Sequence, residues 1–261
     1  MDFNQLYNGD SRDMSFIPDN VVDLVVTSPP YNVGKNYATH EDCLPLDEYL
    51  ALLESVWKEC YRVMAPGGRI AINVAGCDRK PYLPLHSHIT LQMTKLGFNM
   101  RGEVIWNKGA SVGVSTAWGS WCRPSNPTLR DVHEYILIFS KGDWAMGHKG
   151  ETDLVSEEFV AYTKSIWDFP TVSAKKVGHP APFPVELPSR LIKLYTYKDD
   201  LVLDPFMGSG TTCQAAELLG RRWIGVDMDA GYCKLAEDNM RTLAENRLRQ
   251  DREAASRAAG A

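Results

Sequence analysis

Thr27-Ser28-Pro29-Pro30-Tyr31-Asn32 is the segment of this 261-residue chain whose residue types are best suited to chemistry. Two consecutive prolines fix two φ angles and remove two N–H donors. The carbonyls of Ser28 and Pro29 are thereby held without being drawn into a strand ladder, and Tyr31 adds a flat aromatic face beside them. Fixed acceptors next to an aromatic plate suit a planar group that carries an amino function. This segment alone leaves open an ordinary proline loop with no chemistry.

A second segment narrows the choice. Leu201-Val202-Leu203-Asp204-Pro205-Phe206-Met207-Gly208-Ser209-Gly210-Thr211-Thr212 reads as a strand, a glycine turn and the start of a helix. Gly208 and Gly210 let the backbone approach a ligand closely. Cys213 stands where a dinucleotide fingerprint would carry its third glycine, so the spacing is not that fingerprint. Taken together, the two segments resemble the DNA amino-methyltransferases. In that family the catalytic motif reads (D/N/S)-P-P-(Y/F) and the cofactor motif reads D-P-F-x-G-S-G-T-T. Here the catalytic motif comes first, which is the order of the permuted β group, and the resemblance covers most of residues 4 to 248.

The resemblance implies S-adenosylmethionine as methyl donor, double-stranded DNA as substrate, and transfer to cytosine N4 or adenine N6 of a flipped base. It implies Ser28, Pro29, Pro30 and Tyr31 as catalytic residues. For the cofactor it implies Asp10, Phe183, Asp204, Phe206, Gly208, Ser209, Gly210, Thr211 and Asp227, and no metal. Asp10 matches the acidic motif near the cofactor adenine, with a cap on a helix starting near Ser11 as the alternative. Phe183, in His179-Pro180-Ala181-Pro182-Phe183-Pro184, is expected against the methionine part. Asp227 ends a strand about 20 residues past the glycine turn, where an acid binds ribose hydroxyls. Family members with Ser before the prolines mostly methylate cytosine N4, and those with Asp mostly adenine N6. A hydroxyl and a carboxylate both accept hydrogen bonds, so adenine remains the alternative.

The elements that must position these residues follow from periodicity. Short β-branched or apolar runs predict strands at residues 5–10, 21–26, 69–75, 104–108, 133–139, 201–204 and 222–227. Leu50, Leu53, Trp57, Cys60, Tyr61 and Met64 recur at helical spacing after Asp47, a candidate N-cap. Further helices are expected over 84–96, 185–195 and 211–219, closed respectively by Gly97, a turn and Gly220, with a last amphipathic helix that frays from about Arg249. The implied fold class is α/β, the Rossmann-like S-adenosylmethionine-dependent methyltransferase fold. It has a mostly parallel seven-stranded sheet and an antiparallel terminal hairpin formed by strands 104–108 and 133–139. One domain spans 1–261, and target-recognition segments are expected within about 108–178. There, tryptophans 118, 121, 144 and 167 interleave with Lys108, Arg123, Arg130, Lys141, Lys149, Lys164, Lys175 and Lys176. Lys35, in a polar loop with Tyr37 and His40, is a candidate phosphate contact.

Composition sets outer limits. A net charge of −5 argues against a broadly basic coat but leaves room for a local cationic face. Neither a membrane-spanning run nor a signal-peptide pattern is visible, and the six cysteines lack C-x-x-C pairing, so a cytoplasmic protein with reduced core thiols is expected. A companion restriction endonuclease and a homodimer are expected partners by resemblance. Two readings from other classes compete. A regulator that kept the fold but lost catalysis is disfavoured by intact Ser28, Tyr31, Gly208, Gly210 and Asp227. A nicotinamide dehydrogenase leaves the proline loop unexplained.

Overall fold

In the computed structural model, residues 2–31, 44–76, 81–109, 119–172 and 183–259 are described. Lys35, Tyr37, His40, Cys43, Cys77, Trp118, Lys175, Lys176 and His179 lie outside the described residues. The strands are β1 (Gln5–Asn8), β2 (Val22–Thr27), β3 (Met64–Val74), β4 (Phe98–Asn107), β5 (His133–Lys141), β6 (Ile166–Asp168), β7 (Leu201–Asp204) and β8 (Arg222–Asp227). The helices are α1 (Leu46–Val63), α2 (Leu85–Lys95), α3 (Ser156–Tyr162), α4 (Glu186–Tyr195), α5 (Thr211–Leu218) and α6 (Ala230–Ala259).

All the described strands join one sheet in the order β1-β8-β7-β2-β3-β5-β4-β6. β1, β8, β7, β2 and β3 run parallel, and β5 is antiparallel to both β3 and β4. The expected hairpin is present in the register Trp106↔Glu134. It is not the sheet's last element, because the three-residue β6 adds an eighth strand parallel to β4. β6 forms because Trp167 needs burial: it sits in the core at 1% exposure, with its ring close to Phe169, which in turn stacks on Trp106.

Strand residues alternate between two core faces, the period-two consequence of pleating. Val25, Ile70, Ile72, Leu203 and Ile224 pack with Leu53, Trp57 and Cys60 of α1 and Ile89 of α2. Leu24, Val26, Ala71 and Val202 pack with Leu187 and Leu191 of α4 and Ala215 of α5. Every residue of β2 is buried, as expected of a parallel strand covered on both faces.

Several local expectations are corrected. Residues 11 to 20 form turns rather than a helix; Asp10 accepts from the Arg12 backbone N–H at 2.9 Å, closing a turn. Helix α1 begins at Leu46, so Asp47 lies inside the first turn instead of capping it. The segment 142–165 contains α3, which no strong periodicity announced. Helix α6 continues to Ala259, consistent with the high helix propensity of its alanine, arginine and glutamate. Among the cations and aromatics expected on a DNA face, Trp167 is core. Lys141 donates instead to Asn20 Oδ1 and to the Arg62 and Met64 carbonyls at the end of α1. Cysteines 60, 213 and 233 are buried and free, whereas Cys122 is exposed.

Candidate active site

The carboxyl ends of the parallel strands lie on one edge of the sheet, and both motif loops emerge there. That edge is where open α/β sheets bind ligands. Ser28, Pro30, Phe206 and Gly208 line one cavity of about 220 Å³. Two segments some 180 residues apart in sequence therefore share a single space. The floor is completed by Asp10 and Asp227 from the ends of β1 and β8, and an apolar wall by Leu44, just before α1, and Leu52 and Val56 within it.

The glycine loop is held mainly by two acids receiving backbone N–H groups, one half-buried and one buried. Asp227 Oδ2 accepts from Gly208 N at 2.9 Å and its Oδ1 from Asp229 N at 2.9 Å. Asp204 is buried behind the cavity; its Oδ1 accepts from Phe206 N at 3.1 Å and from Thr27 Oγ1 at 2.7 Å. That second bond ties the glycine loop to the proline loop. Burial pushes the Asp204 carboxyl up to about 6. Gly210 has φ +80° and caps α5; a Cβ there would lie 3.1 Å from Ala236 Cβ, so this glycine serves the approach of α5 to α6. Ser209 and Thr211 are buried beside it, and the Ser209 carbonyl accepts from Asn239. Cys213, in place of a third glycine, packs its buried sulfur toward Gly225, whose missing side chain makes the room.

Asp10 faces the cavity but is already engaged: its carboxylate makes a two-point ion pair with Arg12, which also lines the cavity. The Arg12 guanidinium holds the Asp10 carboxyl below the usual carboxylate range. Phe183 is half-buried against the second core face.

The proline loop is held differently, by side chains. Pro29 is buried and Ser28 is half-buried at the cavity. The Tyr49 hydroxyl, one turn into α1, donates to the Pro30 carbonyl at 2.6 Å. Ser28 Oγ lies 2.9 Å from Tyr31 Oη. Tyr31 Oη in turn lies 3.4 Å from Glu134 Oε2 and 3.4 Å from Asn73 Nδ2. Asn73 Nδ2 donates to Glu134 Oε2 at 2.6 Å, and Lys108 Nζ pairs with Glu134 Oε1 at 2.9 Å. Glu134 and Lys108 are both largely buried at the hairpin end that faces the loop.

Asn73, Glu134, Tyr49 and Arg12 were not singled out as site residues from sequence, and Lys108 was expected on the DNA face rather than paired with Glu134. Two carried a usable signal. Glu134 is the one acid in the apolar run 133–139, and Asn73 is the one amide in the apolar run 70–75. A polar group inside a buried strand needs a partner.

The chain shares sequence and fold with known proteins. The family model described as DNA methylase matches residues 22–238. The Type II methyltransferase M.MjaI of Methanocaldococcus jannaschii is 32% identical, over 89% of this chain and 89% of that protein. The DNA adenine methyltransferase YhdJ of Escherichia coli K12 is 29% identical, over 88% of this chain and 80% of that protein. Among solved structures, TTHA0409 of Thermus thermophilus, in complex with S-adenosyl-L-methionine, superimposes with a TM-score of 0.74 at 32% identity, over 92% of this chain and 93% of that one. The matched span contains both motif loops and the sheet edge between them, and the chain belongs to the N6/N4 DNA methylase family.

Proposed function

We propose that this DNA methyltransferase transfers the methyl group of S-adenosylmethionine to the exocyclic N4 amino group of a flipped cytosine in duplex DNA. The observation that carries the reading is that Ser28 and Gly208 line the same cavity. The cavity suits the donor: carboxylates on the ends of β1 and β8 meet a polar sugar and base, and the apolar wall from α1 meets an adenine face. The donor supplies a methyl group on a sulfonium, an excellent leaving group. The protein's residues supply alignment, which is worth several orders of magnitude in rate.

Flipping the base costs roughly a few kcal/mol, and stacking on Tyr31 returns roughly 1–3 kcal/mol of that. Ser28 Oγ and the Pro29 carbonyl accept hydrogen bonds from the amino group and localise its lone pair toward the methyl carbon. No strong base is required, because the methylated amino cation is itself very acidic and releases its proton after transfer. Serine before the prolines favours cytosine. Similarity to an adenine methyltransferase, YhdJ, keeps adenine N6 as the second reading.

Recognition of the target sequence is assigned to segments within 108–178, where Trp121 is 65% exposed and Arg123 and Arg130 are exposed as well. A companion restriction endonuclease and a homodimer belong to the same proposal, as does a cytoplasmic location. No helix among the described residues is long and apolar enough to cross a membrane.

Digestion of methylated DNA to nucleosides, followed by mass analysis, tests the reading. N4-methylcytidine is expected, and N6-methyladenosine as the sole product ends the cytosine assignment.

A further inference from the structure

The polar cluster behind the proline loop has a direction. Asn73 Nδ2 can only donate and the Glu134 carboxylate can only accept. The Asn73 amide must present nitrogen to Glu134 Oε2, since a carbonyl oxygen 2.6 Å from a carboxylate oxygen would be repelled. Tyr31 Oη therefore receives one hydrogen from Asn73, and Glu134 Oε2 and Ser28 Oγ are both within reach of its own hydrogen. A charged acceptor wins over a neutral hydroxyl, because charge-assisted bonds are roughly twice as strong. The separation of 3.4 Å to Glu134 is long, and such contacts tighten when a site fills. With the Tyr31 hydrogen turned to Glu134, the 2.9 Å contact is made by the Ser28 hydroxyl donating to Tyr31 Oη. The lone pairs of Ser28 Oγ are then left facing the cavity.

We propose that Glu134, held by Lys108 and Asn73, is a positioning residue that orients the Tyr31 and Ser28 hydroxyls so that Ser28 presents an acceptor to the target amino group. The inference rests on the methyl-transfer reading above. Without the carboxylate, Tyr31 turns its hydrogen to Ser28, and Ser28 turns its own toward the cavity, where it opposes an N–H of the base. Lys108 pairs with the other oxygen of Glu134, leaving Oε2 to Asn73 and Tyr31.

The test is single-turnover methyl transfer from tritiated S-adenosylmethionine to unmethylated mixed-sequence DNA, with cofactor affinity measured in parallel. Glu134→Gln keeps the shape and removes the charge. It is expected to lower the transfer rate roughly tenfold to a hundredfold, the loss of one charge-assisted bond, with cofactor affinity within about twofold. Because the relay runs through Tyr31 to Ser28, Glu134→Gln is expected to add nothing in a Ser28→Ala or a Tyr31→Phe background. Tyr31→Phe, which keeps the ring, guards against a misfolded Glu134→Gln and is expected to slow transfer on its own. An undiminished rate in Tyr31→Phe, or a Glu134→Gln loss that simply multiplies with that of Ser28→Ala, overturns the relay while the function stands. A wild-type protein that binds cofactor but transfers no methyl overturns the function and the relay with it.

Discussion

The two loops that close the cavity are immobilised by opposite means. In the glycine loop the backbone is the client: Asp227 and Asp204 commit their oxygens to the N–H groups of Gly208, Asp229 and Phe206. In the proline loop the two prolines have no N–H to satisfy. There Tyr49 holds the Pro30 carbonyl, and Asn73, Glu134 and Lys108 hold Tyr31 through side chains brought in from other parts of the sheet. The difference fits the two tasks proposed for these loops. A loop that wraps a cofactor needs its backbone shape fixed. A loop that aims acceptors at a flipped base needs the direction of individual hydroxyls and carbonyls fixed.

The comparison can be broken most severely at Asp227. Asp227→Ala strands the Gly208 and Asp229 N–H groups and removes an acceptor from the cavity. A loss of cofactor affinity of roughly a hundredfold, about 3 kcal/mol, is expected by calorimetry. Unchanged affinity would show that the loop does not depend on this acid.

Asp204 sharpens the comparison through pH. Burial raises its carboxyl to about 6 in the folded protein, against about 3.9 in the unfolded chain. Between those values the folded state holds more protons, so this group's contribution to stability falls as pH rises from about 4 to about 6 and is level above that. Urea unfolding of wild type and Asp204→Asn across this range is expected to show the difference in stability between the two proteins shifting by roughly 3 kcal/mol. A difference that stays constant with pH would place Asp204 in a less desolvated state.

Gly210→Ala probes backbone shape alone. A left-handed φ costs a residue with a Cβ roughly 1–2 kcal/mol, and the added carbon meets Ala236. A stability loss of about 2 kcal/mol is expected in thermal unfolding. Tyr49→Phe makes the smallest change on the other side, removing the donor to the Pro30 carbonyl while leaving the ring. Loss of about 1 kcal/mol, a several-fold fall in transfer rate with cofactor affinity intact, is expected. A fall in cofactor affinity instead would mean that the proline loop shapes the cofactor side as well.

Much of this was legible before any coordinates. Alternating and fully apolar runs located seven strands, because burial on one or two faces leaves a period in the sequence, but β3 and β4 begin at Met64 and Phe98, well before the expected residues 69 and 104. Glycines 97 and 220 marked helix ends. Strand β6 and helix α3 were not legible, since both are short: β6 buries only Trp167, and α3 has no buried residue to leave a period. Cys122, Lys141 and Trp167 show the same limit from the side-chain direction: residue type alone did not say whether each faced the core, a helix end or solvent.

The sequence by itself determined the family, the fold class, the two loops and the acids at their strand ends, because those are local choices of residue type at set spacing. Only the tertiary structure decided who holds whom. Asp204 bonds to Thr27 across 177 positions and Tyr31 meets Glu134 across 103. Contacts of that separation are created by the order in which strands join a sheet, and strand order leaves no mark on any single stretch of chain.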